Sequence, residues 1–550
     1  MNDNGTLRLR QSLLTLQNEY DKGNKAPLEA LVRAWKGIQE LPPSDKRSFF
    51  VLGGYHGEPF NYRTAVDALS PTDTYTYWGG WCNHGNVLFP TWHRVYLLKL
   101  EDALRSIVPG VTLPFWDETD ADALASGMPW ILTREKFELD GVWISNPLRS
   151  FTLPLPLNDN LPGDNQAYVK PSGYETVRYP LSGLVGTPAA RAATAAHNAK
   201  YPDPAENVKL LNENVTAWLN GGNPTPEHPE PKGTGINAMF RNCLEAPNYT
   251  VFSNTTSAGQ WNLDHPGMVV PLEQPHNDIH LAVGGFDFPG QFESGQVADA
   301  NGDMGENNTA ALDPIFYFHH CNVDRVFWLW QQRHDATDVL TVITGYAGTS
   351  SSDSQGPTPG IPPGTPLDVN TPLNPFVKDE FGNVYTSMDC INIERQLGYG
   401  YGPGSFDAAP AQDAAAADEP VGKKLTVRGI DRALFEGSFV IRAYAAVKDA
   451  TGSRREFFLG SHSVLSRRNV VTCANCLTHL EVVAHFSLNA VPAELLDGAE
   501  FFIAIQHRGS SKRMNITRDT GIAEVSISAQ AAQARTALPD KLRFTMAVSD

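Results

Sequence analysis

Two clusters of histidine are the residues of this chain best suited to carry chemistry. The first cluster consists of His56, in GGYHGEPF, and of His84 and His93, in WCNHGNVLFPTWHRVYLLKLE. Imidazole is a common ligand for transition metals. Three neutral imidazoles without a carboxylate suit copper better than magnesium, calcium or manganese. The first cluster therefore predicts a copper site.

The second cluster begins with His276 and His280, in PLEQPHNDIHLAVGG. These two histidines are four residues apart, so on a helix both side chains lie on one face and can bind one metal ion. Asn277 rather than glutamate follows His276, so the HExxH arrangement of zinc peptidases is absent. A third imidazole can come from the pair His319 and His320 in DPIFYFHHCNVD, which completes a second set.

The local sequence indicates which elements hold these side chains. His93 lies in WHRVYLLKLEDAL, a run of good helix formers in which Leu97 and Leu100 pack on the same side as the histidine. Pro90 is expected in the first turn of that helix, where the N–H that proline lacks would have no partner. Glycines flank His56, which indicates a ligand on a loop.

The rest of the chain divides into regions of different character. Residues 8 to 50 have the apolar spacing of helices, whereas residues 146 to 235 are rich in proline, glycine and asparagine. Seven short β-rich runs follow the segment PGSFDAAPAQDAAAADEPVG: KLTVRGI, SFVIRAYAAV, REFFLGSHSVL, HLEVVAHFSL, EFFIAIQH, AEVSISA and KLRFTMAV. We therefore predict a mainly α fold, a helical bundle that holds the metal site and is wrapped by long loops, followed by a smaller antiparallel β-sandwich. The predicted parts are a metal domain at 1–402, a flexible, protease-accessible linker at 403–423 and a cap domain at 424–550.

Composition excludes several classes of partner. The formal net charge of -18 argues against nucleic acid and anionic membranes, which both need clustered lysine and arginine. No apolar stretch approaches the roughly 20 residues that span a bilayer. The start MNDNGTLRLRQSLLTLQNEY lacks the features of a signal peptide, and six cysteines in 550 residues do not form a disulfide scaffold. An intracellular, cytoplasmic location is expected.

The sequence around the histidines resembles the copper signatures of the tyrosinase and catechol oxidase family. The first signature is matched at every defined position by His84-x4-Phe89-Pro90-x-Trp92-His93-Arg94-x2-Leu97-x3-Glu101. The second is matched by Asp313-Pro314-x-Phe316-Tyr317-x2-His320-x3-Asp324. In the second signature the ligand is the second histidine of the pair, so the resemblance assigns that role to His320 and a structural role to His319. It covers residues 45 to 402 and, less specifically, the C-terminal region.

This resemblance implies an enzyme, a copper-dependent oxidoreductase with dioxygen as co-substrate. It implies two copper ions bound by His56, His84, His93, His276, His280 and His320. Asp324 follows His320 by one helical turn, and two roles are open for it. It either accepts a ring N–H from a ligating histidine or forms a surface ion pair with Arg325.

The resemblance also implies roles for neighbouring residues. Cys82 stands where fungal and molluscan members join a cysteine to the ring of the histidine at His84 through a thioether bond. Glu273 and Asn277 stand where related enzymes are thought to hold a water that deprotonates the incoming phenol. A phenol with a pKa of about 10 needs such a base at neutral pH. The alternatives are a buried thiol, a helix-capping glutamate and a ring-contacting asparagine.

Similar full-length enzymes are made as inactive proenzymes, in which an apolar side chain of the C-terminal domain occupies the substrate position. The resemblance thus implies activation by a protease that cuts the linker, with Leu465 as the expected placeholder and Phe457 or Phe458 as alternatives. Cys473 and Cys476 form a CxxC motif, which fits a disulfide, a redox pair or part of a zinc site. Some fungal proenzymes have a CxxC here that is implicated in copper loading, and thiolates select Cu(I). We predict that this motif passes copper inward, with a copper chaperone as an optional donor.

The expected function is that of a latent tyrosinase, which hydroxylates monophenols to o-diphenols and oxidises o-diphenols to o-quinones. Glu273 and Asn277 favour this activity over that of a catechol oxidase, which performs only the second reaction. An o-aminophenol oxidase stays open, a haemocyanin-like oxygen carrier uses the same copper chemistry, and a zinc hydrolase is more distant. Phenols are the expected small-molecule partners, and a homo-oligomer is left open.

Overall fold

A computed structural model of the chain describes residues 7–57, 80–157, 169–222, 235–288, 300–356, 358–407, 423–435, 437–448, 452–466, 474–507, 510–515, 523–526 and 541–549. Before residue 408 its α-helices are α1 Leu13–Asp21, α2 Ala26–Glu40, α3 Phe49–Gly53, α4 Phe89–Ile107, α5 Ala121–Ser126, α6 Pro188–Asn198, α7 Pro204–Asn220, α8 Ile236–Cys243, α9 Tyr249–Ser253, α10 Thr255–Asp264, α11 Glu273–Gly284 and α12 Ile315–Arg333. The strands of this part are β1 Arg8–Arg10, β2 Lys136–Leu139, β3 Val142–Ser145, β4 Pro372–Val377, β5 Val384–Thr386 and β6 Tyr399–Tyr401.

Helices α2, α4, α11 and α12 pack around the centre of the helical part. Pro90 lies in the first turn of α4 and Pro314 is the N-cap of α12, so each helix begins where proline loses no hydrogen bond. Nearly every side chain of α11 and α12 is buried, polar ones included. Such helices belong to the middle of a large core, and their polar side chains need partners there. Among the described residues, no helix has the length and apolar character needed to cross a bilayer.

The C-terminal part is built of strands. These are β7 Lys424–Asp431, β8 Phe439–Lys448, β9 Arg454–Val464, β10 Glu481–Ser487, β11 Glu500–His507, β12 Ser510–Asn515, β13 Ala523–Ser526 and β14 Lys541–Ser549, with one short helix, α13 Ala474–Thr478. They form two four-stranded antiparallel sheets, in the orders β10-β7-β14-β13 and β12-β11-β8-β9. Apolar side chains of both sheets, such as Val427 and Ile503, share one core. The predicted fold class, a mainly helical part followed by a smaller antiparallel β-sandwich, is confirmed.

The C-terminal part, here called the cap, packs on the helical part through both of its sheets. Strand β9 packs against α11, and β10 packs against α10. Much of the contact is polar: Lys424 Nζ donates to the carbonyl oxygens of His265 at 2.6 Å and Gly267 at 2.8 Å. The Arg442 guanidinium donates to the carbonyl of Asp287 at 3.2 Å. The predicted domain boundaries stay a prediction, because residues 408–422 of the linker lie outside the described residues.

The first and last strands of the helical part pair with each other. Strand β1 pairs in parallel with β6, so Arg8 lies opposite Tyr399 and Arg10 opposite Tyr401. The fully buried Arg10 guanidinium also binds Glu101 of α4 at 2.8 Å. A short ladder and a buried ion pair thus close the helical part just before the linker.

Candidate metal centre

The first set of histidines meets at the N-terminal end of α4. His56 follows α3, His84 precedes α4 on a loop, and His93 lies in the second turn of α4. All three side chains are buried, and the centroids of the His84 and His93 rings are 5.1 Å apart. The Nδ1 atoms of His56 and His93 donate to the carbonyl oxygens of Asn307 at 3.0 Å and Phe89 at 2.8 Å. Because a carbonyl can only accept, the Nε2 atom of each ring keeps its lone pair.

The second set is held by α11 and α12. The Nε2 atom of His320 lies 3.2 Å from that of His276 and 3.3 Å from that of His280. The Nδ1 atom of His280 donates to the carbonyl of Met304 at 2.9 Å, and that of His276 donates to Asn277 Oδ1 at 3.0 Å. The Nε2 atoms of His276 and His280 therefore carry lone pairs, and both lie within 3.3 Å of His320 Nε2, where one cation could accept all three nitrogens as ligands. The second set fits a metal ion.

The two sets form one centre rather than two separate ones. The rings of His93 and His320 are stacked with centroids 4.6 Å apart, and the centroids of His84 and His276 are 5.8 Å apart. Burial lowers the pKa of His93 from its ordinary value of 6.5 to about 3, and that of His280 likewise. These imidazoles are therefore neutral at pH 7, which is the form that binds a metal. Neutral nitrogen donors without a carboxylate match copper.

A close-packed turn fixes the position of His280. A Cβ atom on Gly284, at the end of α11, would collide with the backbone nitrogen of Gly305. Only glycine allows α11 to approach the turn Asp303–Gly305, whose Met304 carbonyl accepts the His280 ring proton. Such a carbonyl holds the tautomer and orientation of a ligating ring.

His319 lies in the same cluster as the second set, and its ring nitrogen is near enough to join it. Its Nδ1 atom, however, donates to Glu118 Oε1 at 2.5 Å, and Asn322 donates to the other oxygen of that carboxylate at 3.3 Å. Burial raises the pKa of Glu118 well above its ordinary value. The structural role assigned to His319 stays a prediction. Sequence reasoning missed Glu118, because no motif surrounds it.

Asp324 makes neither of the two contacts considered for it, a bond to a ligating histidine or a surface ion pair with Arg325. It is buried, and its Oδ1 atom accepts from Arg94 Nε at 2.6 Å. Its Oδ2 atom accepts from the hydroxyl groups of Tyr399 at 2.6 Å and Tyr401 at 2.5 Å. The expected surface ion pair with Arg325 is wrong, because Arg325 binds Asp407 instead. The Asp324 carboxylate thus joins α12 to α4 and β6.

Glu273 and Asn277 lie one turn apart in α11. The Glu273 carboxylate is buried; Oε1 accepts from the backbone N–H of Gly85 at 2.8 Å, and Oε2 accepts from the N–H and hydroxyl group of Thr255 at 2.8 and 3.0 Å. Burial raises the pKa of Glu273, and these donors oppose part of that shift. Since Gly85 follows His84, Glu273 also ties the loop of the first histidine set to α11.

Cys82 is buried near the first set. The backbone N–H of Gly57 donates to its sulfur atom at 3.4 Å, so the thiol lies beside the loop of His56. The thioether bond between Cys82 and His84 stays a prediction.

The cap residues predicted to block the substrate position or to pass copper lie in different environments. Leu465 is 4% exposed and packs with the core of the helical part, although it belongs to the cap. Phe457 packs on the core of the β-sandwich, whereas Phe458 contacts Phe288 of the helical part with ring centroids 5.8 Å apart. Cys473 lies outside the described residues, as does the side chain of Cys476.

A cavity of about 280 Å³ lies between the cap and helices α10 and α11. Asn277 lines it on the side of the helical part, and Leu465 on the side of the cap. The cavity also reaches Arg432 and His462, which sequence reasoning had not considered. No motif marked them, because a β-rich segment shows which residues alternate but not which of them face a second domain.

Comparison with known proteins agrees with this geometry. The family profile described as the common central domain of tyrosinase matches residues 46–333. A tyrosinase of Hahella sp. (strain CCB-MM4), HcTyr2, is 70% identical over 556 residues and covers 100% of both chains. A tyrosinase of Aspergillus oryzae (strain ATCC 42149 / RIB 40) is 42% identical, covering 84% of this chain and 87% of its own. The solved structure of a Burkholderia thailandensis tyrosinase at low pH has a TM-score of 0.85 and 59% identity, covering 98% of this chain and 100% of that one.

A helical core that brings two sets of neutral imidazoles together is the architecture of a binuclear copper oxidoreductase. The chain belongs to the tyrosinase family. It is therefore an enzyme that uses two copper ions and dioxygen and acts on phenols. The family excludes the zinc hydrolase and the oxygen carrier that the histidines alone had left open.

Proposed function

We propose that this chain is a latent tyrosinase with two activities, the hydroxylation of monophenols to o-diphenols and the oxidation of o-diphenols to o-quinones. The observation that carries the proposal is the pair Glu273 and Asn277, one turn apart in α11 and next to His276. A carboxylate and an amide beside a metal ligand can hold a water that accepts a proton. A catechol oxidase or an o-aminophenol oxidase is the alternative.

Bound copper supplies dioxygen binding and two-electron oxidation. Hydroxylation of a monophenol places one oxygen atom of dioxygen on the ring and releases the other as water, and the two electrons that this needs come from an o-diphenol, which becomes the o-quinone. When o-diphenols alone are oxidised, two of them give four electrons and four protons to one dioxygen, which leaves as two water molecules. The protein's own residues must take the phenol O–H proton, because a phenol with a pKa of about 10 is neutral at pH 7. In the proposal, the proton passes to a water between Glu273 and Asn277, while backbone donors keep the Glu273 carboxylate in place.

The arrangement of the cap supports latency. Strand β9 packs on α11, which carries two of the histidines, and Leu465 directly follows β9. The Leu465 side chain is buried against the helical core and lines the cavity next to Asn277. We propose that Leu465 blocks entry until a protease cuts the linker at 403–423.

Copper quantitation together with phenol assays before and after limited proteolysis tests the proposal. We expect two copper ions per chain, little turnover in the intact chain, and turnover of both a monophenol and an o-diphenol after the cut. Asn277→Leu should then reduce the monophenol rate more than the o-diphenol rate, because only the monophenol depends on prior deprotonation at this site. Oxidation of o-diphenol without any hydroxylation would select the catechol oxidase, and full activity of the intact chain would refute latency.

We further propose that Cys473 and Cys476 pass Cu(I) to the centre. Support comes from the position of α13, which includes Cys476 and packs on the helical part through Thr478, whose hydroxyl donates to the carbonyl of Ser352 at 2.7 Å. A protein with Cys473→Ser and Cys476→Ser is expected to gain copper more slowly from a Cu(I) donor, whether a small thiolate complex or a chaperone. Normal loading of that double variant would end this proposal. The intracellular location and a homo-oligomer are proposals that cell fractionation and light scattering can test.

A further inference from the structure

Arg432 is a buried cation that the described residues leave without an acceptor. It is 6% exposed and begins the turn Arg432–Leu434 after β7. Its Nε atom has no hydrogen-bond partner, and no described residue forms an ion pair with it or accepts a hydrogen bond from its guanidinium. A buried charge without a partner is costly, and arginine offers five N–H donors in a planar fork. The buried Nε–H of Arg432 thus has no acceptor among the described residues.

The nearby carboxylates are already engaged. Glu273 and Asp431 lie close enough to interact with the Arg432 charge. Both oxygens of Glu273, however, accept from Gly85 and Thr255, and Asp431 accepts from the N–H of Ala433 at 2.8 Å. Burial consequently lowers the pKa of Arg432 to about 10, although the two carboxylates oppose the shift.

Arg432 lines the cavity of about 280 Å³ between the cap and the helical part. Two histidines of the cap line it as well. Burial, with a smaller contribution from the Arg432 charge, lowers the pKa of His462 to about 3 and that of His479 to about 4. Both rings are thus neutral and can donate an N–H. The helical part contributes the Thr256 hydroxyl group to the same cavity, where it lies 3.2 Å from His479 Nε2.

We propose that this cavity is a binding site for a small oxyanion, a carboxylate or a phosphate, held by Arg432. A guanidinium pairs with the two oxygens of such a group in parallel hydrogen bonds. The hydroxyl and imidazole groups around the cavity can donate to the remaining oxygens. The volume suits a small ligand, because pockets for drug-sized molecules run from about 300 to 1,000 Å³. The anion would contact the cap and the helical part together, and so strengthen their association.

Titration calorimetry on the intact, copper-loaded protein tests the site. Inorganic phosphate and cyclohexanecarboxylate are the two probes, and sodium chloride at equal ionic strength is the reference. We expect one saturable site per chain for at least one probe, and the tighter probe identifies the class of anion. Arg432→Gln should weaken binding about 10-fold or more, since hydrogen bonds to charged groups contribute about 1.5–3 kcal/mol. Arg428→Gln is the matched control, because Arg428 lies at the same cavity but is half exposed and pairs with Glu481 at 3.4 Å.

Repeating the titration on the copper-free protein separates this site from the copper ions. Unchanged affinity there supports the cavity, whereas loss of binding places the anion on copper and overturns the proposal. Binding that Arg432→Gln leaves intact, or heat that chloride reproduces, also overturns it. Should Arg432→Gln fail to fold, Thr256→Val removes one hydroxyl donor of the cavity and should weaken the tighter probe. These readouts do not depend on phenol turnover, so they stand apart from the proposed activity.

Discussion

Replacing Asp324 by asparagine should destabilise the helical part without removing a copper ligand. The Asp324 carboxylate lies between two fully buried arginines, at 2.6 Å from Arg94 Nε and 3.5 Å from an Arg10 nitrogen. Asparagine keeps the shape of the side chain but removes the negative charge. Its amide group would also turn N–H donors toward groups that themselves donate. Arg10 retains Glu101, whereas Arg94 keeps no carboxylate partner among the described residues.

The magnitude follows from the burial of both partners. Removing one member of a buried ion pair costs about 3–5 kcal/mol, because a charge is left uncompensated. We therefore expect Asp324→Asn to lower the free energy of unfolding by about that amount. Asp407→Asn is the control: its pair with Arg325 is partly exposed, with an exposed fraction of 38% for the Asp407 side chain. Partly exposed pairs of this kind contribute about 0–1 kcal/mol.

The assay is urea unfolding of the copper-loaded proteins, followed by tryptophan fluorescence, at several pH values. Burial alone would raise the pKa of Asp324, but the charges of Arg94 and Arg10, together with two tyrosine hydrogen bonds, lower it below the ordinary value of 3.8 in the folded state. The stabilisation by its charge is therefore complete above the unfolded pKa of about 3.9 and is lost as the pH falls through the lower folded value. The difference between the two proteins should shrink in that range. If Asp324→Asn were as stable as the control at pH 7, the role assigned to this carboxylate would be wrong.

Four further substitutions test the centre and the cap. Gly284→Ala should cost about 1–3 kcal/mol and lower the copper content, because the added Cβ collides with Gly305; unfolding and metal analysis both report on it. His320→Ala should leave one copper ion per chain, whereas His319→Ala should retain two, and equal loss in both would contradict the assignment. Leu465→Ala should raise the o-diphenol oxidation rate of the uncut chain toward that of the cut one; an unchanged rate would remove Leu465 as the blocking residue.

The sequence predicted the parts of the structure that depend on local spacing. Pro90 lies in the first turn of α4, the four-residue spacing puts His276 and His280 on one face of α11, and the β-rich runs of the cap form strands. Each of these follows from contacts within one element. The strand β12 Ser510–Asn515 was missed, because SSKRMN has no apolar alternation and pairs through its backbone with β11.

What could not be predicted depends on residues far apart in the chain. Asp324 looked like a surface residue because Arg325 follows it, yet its partners Arg94 and Tyr399 come from elements that only tertiary packing brings together. Glu118 and Arg432 had no motif around them. Each of these charged side chains needs a partner because it is buried. Burial of a polar side chain depends on the whole fold and cannot be read from its neighbours in the sequence.

The ladder between β1 and β6 bears on what happens after the chain is cut. A cut beyond residue 407 creates a new chain end, and new ends usually fray. Here the residues just before that end, Tyr399–Tyr401, are hydrogen-bonded to the start of the chain, and the Tyr399 ring lies 3.6 Å from the Arg10 guanidinium. In the shortened enzyme the pairing of β1 with β6 should therefore persist, and the new chain end should resist further cleavage by the protease that made it.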